Sequence, residues 1–120
     1  MLRQLILVVA GLTGAAGMAL AAAAFHGGDA ALGSASTICL ANAPALIGLY
    51  IVARDNRAAG LAALVLIVGT LIFVGDLVLR HFTGERLFPN AAPTGGTVMI
   101  VGWLLVAVAA AFGARDTQRT

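Results

Sequence analysis

Residues 58–79 read AAGLAALVLIVGTLIFVGDLVL, with one ionisable side chain, Asp76, near the far end. A helix rises about 1.5 Å per residue, so this stretch covers the roughly 30 Å of hydrocarbon at the centre of a bilayer. Its length and lack of charge predict a transmembrane helix. Working outward, three more stretches of similar length lie between clusters of charge. They run from about 2 to 25, 35 to 53 and 95 to 114. The charges gather at Arg3, at His26 with Asp29, at Arg54, Asp55 and Arg57, at Arg80 to Arg86, and at Arg115, Asp116 and Arg119.

The whole-chain balance agrees. Of 120 residues, 61% are apolar and 10% charged, with a mean hydropathy of +1.02. A soluble domain averages about 25% charged residues and needs them to cover its surface. This chain must face lipid instead. The expected architecture is all-α: one integral membrane domain over residues 1–120, a four-helix bundle with membrane lipid as its immediate partner. Arg3, Arg54, Arg57, Arg115 and Arg119 fall on one side and only Arg80 and Arg86 on the other. Positive residues favour the cytoplasmic side, so both termini are expected in the cytoplasm, in a bacterial inner membrane. The basic start and Ala-rich end of the first stretch also fit a signal peptide. That stretch is long enough to span, and more spans follow it.

Function classes fall away in turn. Seven Arg against five acids form no basic stripe, so nucleic-acid binding is not expected. Cys39 stands alone, which excludes an internal disulfide. No Cys/His cluster has metal-ligand spacing and no phosphate-binding glycine loop follows a strand, so neither a metal nor a cofactor is expected.

Small residues recur at four-residue spacing in the first span, Gly11, Ala15, Ala19 and Ala23, with Ala10 and Gly14 beside them. In lipid, helices associate through close van der Waals approach, which small side chains permit. Gly69 and Gly75 in the third span, and Gly102 and Ala109 in the fourth, offer similar surfaces. Pro44 removes a backbone donor from the second span and predicts a kink at the Leu40 carbonyl. Asn42, at hydrocarbon depth, is expected to bond across helices. Ser34 or Ser36 is expected to cap the second helix after a polar loop from His26 to Ser34. Pro93, Thr94, Gly95 and Gly96 are expected to set the entry of the fourth helix, where free N–H groups can also hold an anion.

Three stretches, taken in order, resemble a known family: Ala24-Phe25-His26-Gly27, then Phe73-Val74-Gly75-Asp76-Leu77 running to Thr83-Gly84, then Pro93-Thr94-Gly95-Gly96 followed by Gly102-Trp103. The family is the small membrane proteins called domain of unknown function 423, which includes the eukaryotic transmembrane protein 256. The resemblance implies four membrane helices and no established activity. Its members typically carry two His residues three apart in the second span. Cys39 and Asn42 stand at those places here, so no role of the His pair carries over. Asp76 stands where the family has Ser, and Arg80 and His81 where it has apolar residues.

Asp76 and Arg80, four apart on a helix, share one face and can pair. Ionisable groups within a span are costly and mark candidate sites. Two readings stand: a structural ion pair ending the span near the outer boundary, or a functional pair. His26, at a helix C-terminus, suits the helix dipole. It can also join Asp76, Arg80 and His81 in one outward polar cup able to bind a small ligand or relay protons. The function expected is that of a structural or accessory subunit, not an enzyme, in a larger membrane complex or a homo-oligomer. A small transporter, or a lipid- or quinone-binding module using the cup, is the alternative.

Overall fold

A computed structural model of the chain describes the backbone of residues 1–119 and the side chains of residues 1–111. The charges Arg115, Asp116 and Arg119, used above for orientation, therefore have side chains outside the described residues. Four helices follow one another: α1 (Leu2–Gly27), α2 (Ala30–Val52), α3 (Arg57–Thr83) and α4 (Ala91–Arg119). All four are long and apolar enough to cross a membrane, α4 over Ala91–Ala111.

The first and last of the three connections are shorter than the sequence suggests, because capping residues begin and end the helices closer to one another. Gly28 ends α1 at φ 67°, a left-handed conformation that glycine adopts without strain, and its N–H bonds the Ala24 carbonyl. The next residue, Asp29, already caps α2: its Oδ1 accepts from the N–H groups of Ala31, at 2.7 Å, and Leu32, at 3.3 Å. The expected cap at Ser34 or Ser36 is therefore corrected, and no polar loop runs to Ser34. Asp29 directly precedes the apolar residues Ala30, Ala31 and Leu32, so the helix starts there and not after the serines. Asn56 caps α3 through the Ala59 N–H, and Gly84 ends α3 with φ 76°. The last helix begins at Ala91, not at Gly95, just after Asn90 with φ 63°. Pro93 thus sits in the first turn, where a missing N–H costs little. α2 continues through Pro44 as a single helix, with the proline on the exposed face.

α1 packs along α2, α2 against α3, and α3 along α4, while α1 touches α3 only briefly. α3 is therefore central and buries two faces, with Ala59, Ala63, Leu66, Gly69 and Thr70 among its buried residues. The α3–α4 crossing is an approach of backbones. A Cβ added at Gly95 would lie 2.6 Å from the Phe73 nitrogen, and one at Gly69 would lie 2.8 Å from the Met99 nitrogen. Gly95 is thus a packing residue within α4 and not its entry, whereas Gly96 meets nothing within 4 Å.

The expected packing line on α1 is displaced by one helical position. Gly11, Ala15, Ala19 and Ala23 are all exposed, and nothing lies within 4 Å of a Cβ at Gly11. The buried line is Ile6, Ala10 and Gly17, with Gly17 against Leu40 and Cys39. Spacing alone cannot tell two adjacent rows of small residues apart. The row that packs is the one that starts at Ile6, a large side chain fully buried in the same core cluster as Leu46, Ala63 and Leu66.

Candidate functional site

The buried polar side chains are distributed along the bundle, each joining two elements. Ser36 Oγ donates to the Gly17 carbonyl at 2.8 Å, from α2 to α1. Asn42 Nδ2 donates to Thr70 Oγ1 at 2.8 Å and approaches Met99 Sδ at 3.3 Å, so one amide ties α2, α3 and α4. Thr70 in turn donates to the Leu66 carbonyl. Such bonds in a membrane bundle contribute about 0.6–2 kcal/mol each. Asn56 Nδ2 donates to the Ala109 carbonyl at 2.8 Å, holding α4 to the start of α3. At the same end Arg3 donates to the Tyr50 carbonyl at 3.1 Å, with its guanidinium 4.5 Å from the Tyr50 ring centre.

The opposite end holds the candidate polar residues, and they separate into two pairs. Asp76 has no exposed surface. Its Oδ2 accepts from Arg80 Nη2 at 2.6 Å and Nε at 3.2 Å. Its Oδ1 accepts the backbone N–H of Leu87 at 3.0 Å. The carboxylate thus pins the α3–α4 connection as well as pairing within α3. Arg80 stands in the last turn of α3, with Asp76 one turn before it. Arg80 keeps 36% of its side chain exposed, which lets its charge reach the rim.

His81 does not join that pair. Its Nδ1 meets Oδ2 of Asp29, linking the end of α3 to the start of α2. Asp29 is the member that the sequence reading left out of the cluster. The signal available was an acid directly after a glycine pair and directly before an apolar run. His26 is exposed, with its ring edge-on to Phe25 at 5.7 Å between centres. Asp76 with Arg80 and Asp29 with His81 thus form two pairs, and among the described residues no hydrogen bond joins one pair to the other or either to His26. Among the described residues, no three His, Cys, Asp or Glu side chains come together as a metal set.

The His81 hydrogen bond is the main influence holding the Asp29 carboxyl below its usual range, with the two backbone N–H donors adding to it. A depressed carboxyl contributes stability above its unfolded-state value and loses it as pH falls through the lower folded value. The contribution of the Asp29 carboxylate, read as the stability difference between the protein and its Asp29→Asn variant, should thus be present above the ordinary carboxylate range. It should shrink in acid, below the ordinary carboxylate range. Acid unfolding of both proteins in mild detergent measures this, and a difference independent of pH down to full protonation would contradict it.

Four spanning-length helices, joined by tight turns and tied by interhelical polar bonds, define a small polytopic membrane bundle. The chain belongs to the family described as Protein of unknown function (DUF423), whose model matches residues 13–96. It is also similar to a protein of Haemophilus influenzae named UPF0382 membrane protein, at 33% identity over 54 residues. That match covers 45% of this chain and 44% of the relative, under half the length of either. No solved structure matches the chain.

Proposed function

We propose that the protein is an accessory subunit of a bacterial inner membrane, a compact helical bundle that packs against copies of itself or a larger membrane complex and carries out no catalysis of its own. The observation that carries this reading is where the polarity goes. Ser36, Asn42, Thr70, Asn56 and Asp76 are all buried and all engaged in bonds between elements or with their own helix. Polar groups used in this way rigidify a bundle and fix its register. The name of the Haemophilus influenzae relative, a membrane protein, is in keeping with it.

Both termini are assigned to the cytoplasm. Arg3, Arg54 and Arg57 mark one end of the bundle and Arg80 and Arg86 the other, and the excess of positive charge belongs inside. The surface assigned to association is the row Gly11, Ala15, Ala19 and Ala23, exposed on α1 and small enough for a neighbouring helix to approach closely.

Purification from native membranes in mild detergent, followed by size analysis and identification of co-purifying chains, tests the reading. The expected species is larger than one chain. The Gly11→Leu, Ala15→Leu double variant should associate about tenfold more weakly, roughly 1.4 kcal/mol, with unchanged helical content, because both positions are exposed on the single bundle. A wild-type protein that is monomeric and travels alone would sink the reading.

A further inference from the structure

A groove of about 400 Å³ runs between α1 and α3. Leu12 and Ala16 line one wall, Leu71, Val74 and Val78 the other, and Cys39 of α2 the floor. It exists because α1 meets α3 near its start, where Leu2 lies against Gly60, and leaves a gap from Val9 onward. The volume is within the range of about 300–1,000 Å³ typical of small-molecule sites. The groove lies along two spanning helices, so what it faces in the membrane is hydrocarbon and not water. Its natural occupant is a hydrocarbon chain from the surrounding lipid.

One helical turn beyond Val78, on the side of α3 turned to α2, stands His81, paired with Asp29 and with a third of its side chain exposed. This places a polar pair at the α1–α2 loop end of a slot that is mainly apolar apart from Thr13 and Thr70, the layout of an amphiphile with head and tail. In the ion-paired form both ring nitrogens are donors; Nδ1 is directed to Asp29, leaving Nε2 for a head-group oxygen. We propose that the groove is a phospholipid site: one acyl chain lies between α1 and α3, and the phosphate accepts from His81 Nε2. Asp29 is then a positioning residue that fixes the ring. The pair thereby acquires a role beyond joining α2 to α3.

Native mass spectrometry of the full chain in mild detergent tests this, with phosphatidylglycerol and diacylglycerol of the same acyl chains added in separate titrations. The expected result is one phosphatidylglycerol per chain, bound about tenfold more tightly than diacylglycerol, the size of one charge-assisted hydrogen bond. Ala16→Phe puts a ring into the groove from an exposed position and should weaken both lipids about tenfold. His81→Ala should remove the preference for the phosphate while leaving diacylglycerol binding as it was, which a merely structural role would not do. Val74→Phe, filling the slot from the opposite wall, replaces Ala16→Phe should circular dichroism show that variant misfolded. Wild-type affinity in a groove-filled variant overturns the site. An unchanged preference in His81→Ala, or equal binding of the two lipids by the wild type, overturns the head-group assignment.

Discussion

Replacing Gly95 by valine should separate α3 from α4 and cost more stability than any other substitution of one glycine in the bundle. A Cβ there would lie 2.6 Å from the Phe73 nitrogen, 2.9 Å from the Gly69 carbonyl oxygen and 3.0 Å from the Phe73 Cα. All three are backbone atoms, so no side-chain rotation relieves the overlap. The helices must move apart, and the separation reaches Asn42, which bonds both Thr70 and Met99 across this contact. Overpacking commonly costs about 1–3 kcal/mol where side chains can yield; here the expected loss is at or above the top of that range. Gly102→Ala gives the comparison. Its added Cβ would come within 2.9 Å of two Leu66 side-chain atoms and 3.1 Å of the Leu66 nitrogen, a conflict that a rotamer change partly relieves. Gly11→Ala meets nothing and should be neutral or slightly stabilising, since alanine is the better helix former. Thermal loss of monodispersity in one detergent ranks the three. A Gly95→Val protein melting with the wild type would show that the helices do not approach as closely as described.

Asp76→Ala should be the most damaging change to a charged residue. The carboxylate is fully buried and satisfies two donors of different kinds, the Arg80 guanidinium and the Leu87 N–H. Removing it leaves Leu87 without its acceptor and Arg80 without its counter-ion. Breaking a fully buried pair costs about 3–5 kcal/mol, but Arg80 can turn its exposed third to the rim, so the orphaned donor dominates and about 2–3 kcal/mol is expected. Asp76→Asn retains an oxygen for Leu87 and should lose clearly less. The distinguishing readout is local: proteolysis between Gly84 and Asn90 should accelerate in Asp76→Ala ahead of global unfolding. Equal cleavage in Asp76→Ala and Asp76→Asn would mean that the Leu87 bond does not hold the connection.

The four helices were legible from the chain itself, because a bilayer imposes a length and a composition that leave few alternatives. Residues 58–79 admit no soluble reading, and neither do the three stretches flanked by charge clusters. The pairing of Asp76 with Arg80 was also legible, since a spacing of four on a helix places the two side chains together before any tertiary contact forms.

Other features depended on which faces meet. Asp29 reaches His81 from 52 positions away in sequence, and Asn42 reaches Thr70 and Met99 on two other helices. Gly11 and Ala15 repeat as regularly as the buried Ala10 and Gly17, yet they face outward. Helical periodicity is a local property that marks several equivalent rows of small residues. Only the fit of bulky side chains such as Ile6 and Leu66, and the backbone approach at Gly69 and Gly95, decides which row is buried and so which polar groups meet.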